Sequence, residues 1–275
     1  MIFVTNPMRA AALMLFLLAS VSPAAADALD EAVKAPHRSA EHRARDTWRH
    51  PAETLRFFGI RPDMNVLEIW PGKSGWFTEI LAPYLAGKGQ LTVAVFGDQT
   101  DQYRDFMLKA NDEFAAKLDA DPAVYEAVAV TSLWAPGQTA MVPPGSQDMV
   151  LTFRNLHNWM RWGQTEDVLL ACFEALKPGG ILGVTDHRSP EGREIDPEAR
   201  NGYVDQSTAV RLVEAAGFRF VGSSEINANP KDTADHPSGV WTLPPTLTLG
   251  DKDRKKYTAI GESDRFTLKF VKPAD

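Results

Sequence analysis

Two short stretches carry residue types and spacings that can do chemistry. The first runs Glu68-Ile69-Trp70-Pro71-Gly72-Lys73-Ser74-Gly75. It puts a carboxylate near the end of an apolar run, then a proline and two glycines. Bare backbone of this kind lets a nucleotide-type ligand approach the main chain closely. The second stretch is Arg154-Asn155-Leu156-His157-Asn158, which follows another apolar run. Arg154 can hold an anionic or quinone-like group through paired donors, and His157 is a candidate general base because imidazole titrates near neutral pH. Asp186-His187-Arg188 ends a further apolar run and is expected to face the same cleft. The competing structural roles are an ion pair for Arg154, a turn or packing position for His157 and a cap for Asp186.

Other motifs fit the first stretch less well. Gly72-Lys73-Ser74 matches the end of a phosphate-binding P-loop, but that motif needs a glycine where Leu67 stands. A dinucleotide fingerprint needs glycines where Trp70 and Phe77 stand. An ordinary strand-to-helix turn without a ligand is the plain alternative.

The elements that must position these residues alternate. Residues 66–69 read as a strand, and helical spacing begins at Trp76. Residues 91–96 read as a second strand, and Asp98 behind it is either an acceptor for ribose hydroxyls or a plain turn aspartate. Helix 103–118 and strands 127–133 and 148–153 follow. Helix 166–176 is closed by Lys177-Pro178-Gly179-Gly180, and strand 181–185 comes next. Helix 207–216 precedes a strand starting at 218, and the last strand, 265–271, is expected to pair at the sheet edge. This order predicts a mainly parallel sheet with helices on both faces. Residues 227–264 are too long for a plain connector and read as a lid or binding element.

The N-terminus reads differently. Arg9, an apolar run over 10–19 and the segment Ser22-Pro23-Ala24-Ala25-Ala26 resemble a secretory signal cleaved near Ala26. The run is short for a membrane span, so the protein is expected to be exported to the periplasm, with an uncleaved anchor as the alternative. Residues 27–58 are expected to form a helical extension or lid, and 59–275 the main domain. Within 30–48, polar and basic, most side chains are expected on a solvated surface, and Arg43, Arg45 or Asp46 face the site if the segment is a lid.

The 275 residues are 44% hydrophobic with a formal net charge of −7, enough for a sizeable core. The acidic balance argues against nucleic acid as a partner. Cys172 is a single thiol in an apolar helical run, and the six histidines are scattered along the chain, so no metal is expected.

Taken together, the motifs resemble class I S-adenosylmethionine-dependent methyltransferases. VLEIWPGKSGW is similar to their first cofactor motif, and DMVLTFRNLHNW to their fourth-strand motif. ALKPGGILGVTDHR and the AAGF turn after the late helix resemble segments that many of them share. The whole is similar to a group of often exported bacterial members of unknown substrate. It implies a Rossmann-like α/β fold, a seven-stranded sheet with an antiparallel last strand. It also implies S-adenosyl-L-methionine as cofactor and methyl transfer to a small molecule. On that resemblance Glu68, Pro71, Gly72, Gly75, Asp98 and Asn155 hold the cofactor, and His157, Arg154 and Asp186 serve the acceptor. Three positions depart from the pattern: Trp70 replaces a glycine, the second strand ends in Phe96 instead of an acid, and the third ends Thr131-Ser132-Leu133 without the acid near the adenine. Those departures support the competing reading, an exported binding protein on the same fold that has lost catalysis.

Overall fold

The computed structural model describes residues 23–97, 104–133, 140–194 and 196–274. The strands are β1 (Asn65–Ile69), β2 (Gln90–Val95), β3 (Ala129–Ser132), β4 (Gln147–Phe153), β5 (Leu176–His187), β6 (Arg219–Ser224) and β7 (Arg265–Val271). They form one sheet in the order β3-β2-β1-β4-β5-β7-β6. The first five are parallel, and β7 runs antiparallel between β5 and β6. This is the expected seven-stranded sheet with its antiparallel last strand. One detail differs: β7 lies inside the sheet, and β6 is the edge. Phe266, Leu268 and Phe270 are all fully buried, which suits an interior strand.

The helices are α1 (Pro23–Lys34), α2 (Ala40–Ala44), α3 (Asp46–Arg49), α4 (Pro51–Phe58), α5 (Thr78–Leu85) and α6 (Arg104–Ala120). They continue with α7 (Pro122–Tyr125), α8 (Leu156–Arg161), α9 (Thr165–Ala175), α10 (Gln206–Ala215) and α11 (Arg254–Ile260). Local chemistry sets their ends. Pro51 starts α4, where its missing N–H costs nothing, and Gly59 ends it at φ 86°. Asp205 caps α10 by accepting from the Thr208 N–H at 2.7 Å.

The period-two alternation of the strands sorts two cores. Met149 and Leu151 face α1, α4 and α5, packing with Leu29, Leu55, Phe58 and Ile80. Val150 faces the other way, with Leu156, Leu169, Cys172 and Val213 from α8, α9 and α10. Each such side chain stabilises the fold by roughly 1.5–3 kcal/mol. Cys172 is fully buried, and burial pushes its thiol up to about 12, so it is a packing residue. Strand β5 starts earlier than expected. Leu176 already pairs with Gln147, and Gly179 and Gly180 exchange backbone hydrogen bonds with Lys272, so the Lys-Pro-Gly-Gly segment is strand, not helix cap.

The expected export signal lies mostly outside the described residues, and its expected end near Ala26 falls within α1. The basic segment that follows is more deeply packed than a surface helix. Arg38 is 1% exposed and holds Asp46 through two bonds of 2.8 Å. Glu79 of α5 takes His42 Nδ1 at 2.9 Å and Lys117 Nζ, which pins this arm to the domain. Among the described residues no helix is long and apolar enough to cross a membrane.

Candidate functional site

The chain leaves β1 for β2 and β3 on one side, then returns to β4 on the other. The carboxyl ends of β1 and β4 diverge at this switch, which is where open α/β sheets form a crevice. A cavity of about 550 Å³ lies there. That volume is in the range of small-molecule sites.

One half of the cavity is the turn after β1. Glu68, Trp70, Pro71, Gly72, Lys73 and Ser74 line it. Gly72 adopts φ +66°, and the position of a side chain there is open space. Gly75 serves another purpose: a Cβ at this residue would stand 2.6 Å from the Phe114 ring, so its bare backbone admits α6. Glu68 is 2% exposed and accepts from Thr78 Oγ1 at 2.7 Å. Burial lifts its carboxyl to about 7, against the pull of that hydrogen bond. Trp70 stands at φ 38°, a left-handed conformation unusual for a bulky residue. Its ring meets Phe96 edge-on at 4.0 Å and Trp162 at 6.3 Å, joining the ends of β1 and β2 to α8. Asp98 lies outside the described residues. Asn155 lines the cavity but spends its amide on the chain, donating to the Ile69 carbonyl at 3.0 Å and to Thr152 Oγ1 at 3.2 Å.

The other half is built on the ends of β4 and β5. Arg154 is also left-handed, at φ 63°. His157, in the first turn of α8, and His187, at the end of β5, both line the cavity. Asp186 is fully buried and organises them. Its carboxylate accepts from the His157 N–H at 3.0 Å and the His187 N–H at 2.7 Å, and it meets His157 Nδ1 at 2.8 Å. An ionised carboxylate on Nδ1 selects the tautomer that leaves a lone pair on Nε2, the arrangement of an oriented general base. His187 Nδ1 lies 2.5 Å from Ser263 Oγ. Burial, then the neighbouring His157 and the Arg154 charge, hold the His187 imidazole well below its usual range, so it is neutral.

The fold thus gathers histidines that looked scattered in sequence. Ligand atoms of His157, Asp186 and His187 lie within 4.8 Å of one another. The chemistry still disfavours a divalent ion: both oxygens of Asp186 are committed to internal donors, and several arginines face the same region.

Of those arginines, Arg154 and Arg45 were expected to face the site, and Arg49 was not. Arg45 and Arg49, at the start and end of α3, line the cavity beside Arg154. Glu262 accepts from Arg45 Nε at 2.6 Å and Arg49 Nε at 3.0 Å, and from Arg265 Nη1 at 3.2 Å. These cations hold the Glu262 carboxyl well below the carboxylate range despite its burial. Burial lowers Arg49, and it brings Arg154 down to about 10. Arg43 turns away to the Arg38 and Ala35 carbonyls, and Asp46 is spent on Arg38. Val240, Trp241 and Pro244 from the long segment before α11 close a further wall. Trp241, in a proline-rich stretch of an overlong loop, was the one signal in sequence for that wall; nothing marked Glu262.

No protein-family model matches the chain, and no curated protein matches it. Solved structures do. An S-adenosylmethionine-dependent methyltransferase from Aquifex aeolicus superposes with a TM-score of 0.55 at 14% identity, covering 87% of this chain and 96% of that one. The cyclase SpnF superposes at 0.53 with 16% identity, covering 87% of this chain and 85% of its own. A phosphoethanolamine-type N-methyltransferase from Haemonchus contortus, solved with S-adenosylhomocysteine, gives 0.52 at 15% identity, covering 89% of this chain and 60% of that one. With its sheet order and these neighbours, the chain has the Rossmann-like fold of class I S-adenosylmethionine-dependent methyltransferases.

Proposed function

We propose that the protein transfers a methyl group from S-adenosylmethionine to a small-molecule acceptor. One observation carries the reading: a single cavity joins an open glycine turn at β1 to an aspartate-oriented histidine at the β4–β5 end. The residues fit the donor. Gly72 leaves open space for close approach, and the buried Glu68 carboxyl suits an ammonium group or the loop's own amides. Glu68, Pro71 and Gly72 are the residues that would hold it; Gly75 and Asn155 would support the turn from behind. When bound, S-adenosylmethionine supplies a methyl group on a sulfonium, and its C–S bonding pair returns to sulfur. Arg154 positions the acceptor, His157 Nε2 takes the proton of an acceptor that still carries one, and Asp186 stabilises the imidazolium that results. Trp76, Phe77 and Trp241 exclude water from the reacting atoms.

A second reading, a binding protein without catalysis, has one observation in its favour. Trp70, Phe96 and Trp162 pack together where β1 and β2 end, and Phe96 replaces the acid that holds a ribose in related sheets. The export signal read from the N-terminal residues belongs to the same account, and cell fractionation with a mass of the mature chain tests it. Calorimetric titration with S-adenosylmethionine and S-adenosylhomocysteine separates the two readings. Methyl transfer requires that both bind and that Glu68→Ala weakens both. A folded protein that binds neither supports the binding-protein reading.

A further inference from the structure

We infer that Arg45, Arg49 and Arg154 form an anion subsite for the acceptor, which carries a carboxylate or phosphate on a flat apolar body. The charge count leads there. Glu262 serves three guanidiniums, those of Arg45, Arg49 and Arg265, with two oxygens. Arg154 has no side-chain hydrogen bond or ion pair among the described residues. Nη2 of both Arg45 and Arg49 is buried without a partner. Arg49 is 3% exposed, so its orphaned donor is not solvated by bulk water. Unmatched buried cations oppose folding, and an incoming oxyanion removes that cost.

The type and surroundings of these groups narrow the ligand. Guanidinium forks suit the paired oxygens of a carboxylate or phosphate better than an ammonium would. A neutral quinone carbonyl would leave the surplus charge in place, and a divalent cation would add to it. The adjoining walls are aromatic. Trp76 lies 4.7 Å from the Arg49 guanidinium, and Phe77 stacks on Phe153 at 3.6 Å and 9°. Phe77, Phe153 and Trp241 line the same cavity, so a flat apolar body has surface to pack on. Calling the ligand the acceptor rests on the methyl-transfer reading; the anion subsite itself does not.

The test is titration of the protein with benzoate, phenyl phosphate and neutral benzamide, read by calorimetry. Thermal melting is measured in parallel. The subsite requires that benzoate or phenyl phosphate binds, with benzamide about tenfold weaker or more. Whichever anion binds more tightly distinguishes carboxylate from phosphate. Arg154→Gln should weaken that anion about tenfold and raise the melting temperature of the free protein, because it removes an unpaired cation. Arg45→Gln should weaken it as well. Equal binding of benzamide, no binding of either anion, or unchanged anion affinity in Arg154→Gln overturns the inference. Adding S-adenosylhomocysteine keeps the two claims apart. If it binds and the anions do not, the subsite is wrong and methyl transfer stands. If the anions bind and it does not, the subsite stands and methyl transfer falls.

Discussion

The two halves of the cavity are built by opposite means. The β1 turn is local: one strand, one glycine turn and one helix supply Glu68, Gly72 and Thr78 within eleven residues of chain. The β4–β5 end is assembled from afar. Arg45 and Arg49 come from the N-terminal helices, Arg154 and His157 from behind β4, and Asp186 and His187 from β5. Glu262 comes from the approach to β7. The difference teaches where each half is vulnerable. Local geometry fails by crowding, whereas an assembled polar cluster fails when one shared charge is removed.

The largest expected effect is at Asp186. Asp186→Asn keeps the side-chain shape but gives the wrong partner to His157 Nδ1 and disturbs the tautomer. Turnover on an identified acceptor should fall about 10²–10⁴-fold with donor affinity nearly unchanged. Equal losses in donor binding would mean that the two halves are not separable. Next is Glu262→Gln, which leaves three guanidiniums, the buried Arg49 and Arg265 and the half-buried Arg45, without their carboxylate. Chemical unfolding should register a loss of about 3–5 kcal/mol. The wild-type contribution from Glu262 is a depressed-pKa case, so it is present above the unfolded carboxylate pKa and is lost as pH falls.

Glu68, in the local half, has the opposite sign. Its folded-state carboxyl sits at about 7, above the unfolded value. The folded state therefore binds the extra proton, and stability from this group is full at low pH and lost as pH rises toward 7. Glu68→Gln should remove that slope and stabilise the protein by about 3 kcal/mol at pH 8, judged by melting at several pH values. A loss of stability at pH 8 would show that the ionised carboxylate is the favoured form. The smallest expected effects separate two glycines. Gly75→Ala drives a methyl group into Phe114 and should cost about 2 kcal/mol of stability. Gly72→Ala meets no atom, so it should cost only about 1 kcal/mol of backbone strain while weakening donor binding.

The same contrast explains what was legible in the sequence. The strand–turn–helix at Glu68 and Gly72, the helix stop at Gly59 and the alternation of β4 follow from near neighbours, so residue types alone place them. The role of Asp186 was only half visible: its position at the end of β5 was clear, but its grip on His157 depends on how two strands stack. Arg38 and Arg49 looked like surface charges because nothing local indicates that Asp46 and Glu262 will meet them. The interior placement of β7 was missed for a similar reason, since alternation marks a strand but not its neighbours.

The most direct measurement is a crystal structure of the protein with S-adenosylhomocysteine. The ligand should lie in the switch-point cavity, its amino-acid end against Gly72 and Glu68 and its sulfur facing His157 and Arg154. A ligand bound elsewhere, or a cavity that excludes it because Trp70 keeps its place between Phe96 and Trp162, would contradict methyl transfer at this site.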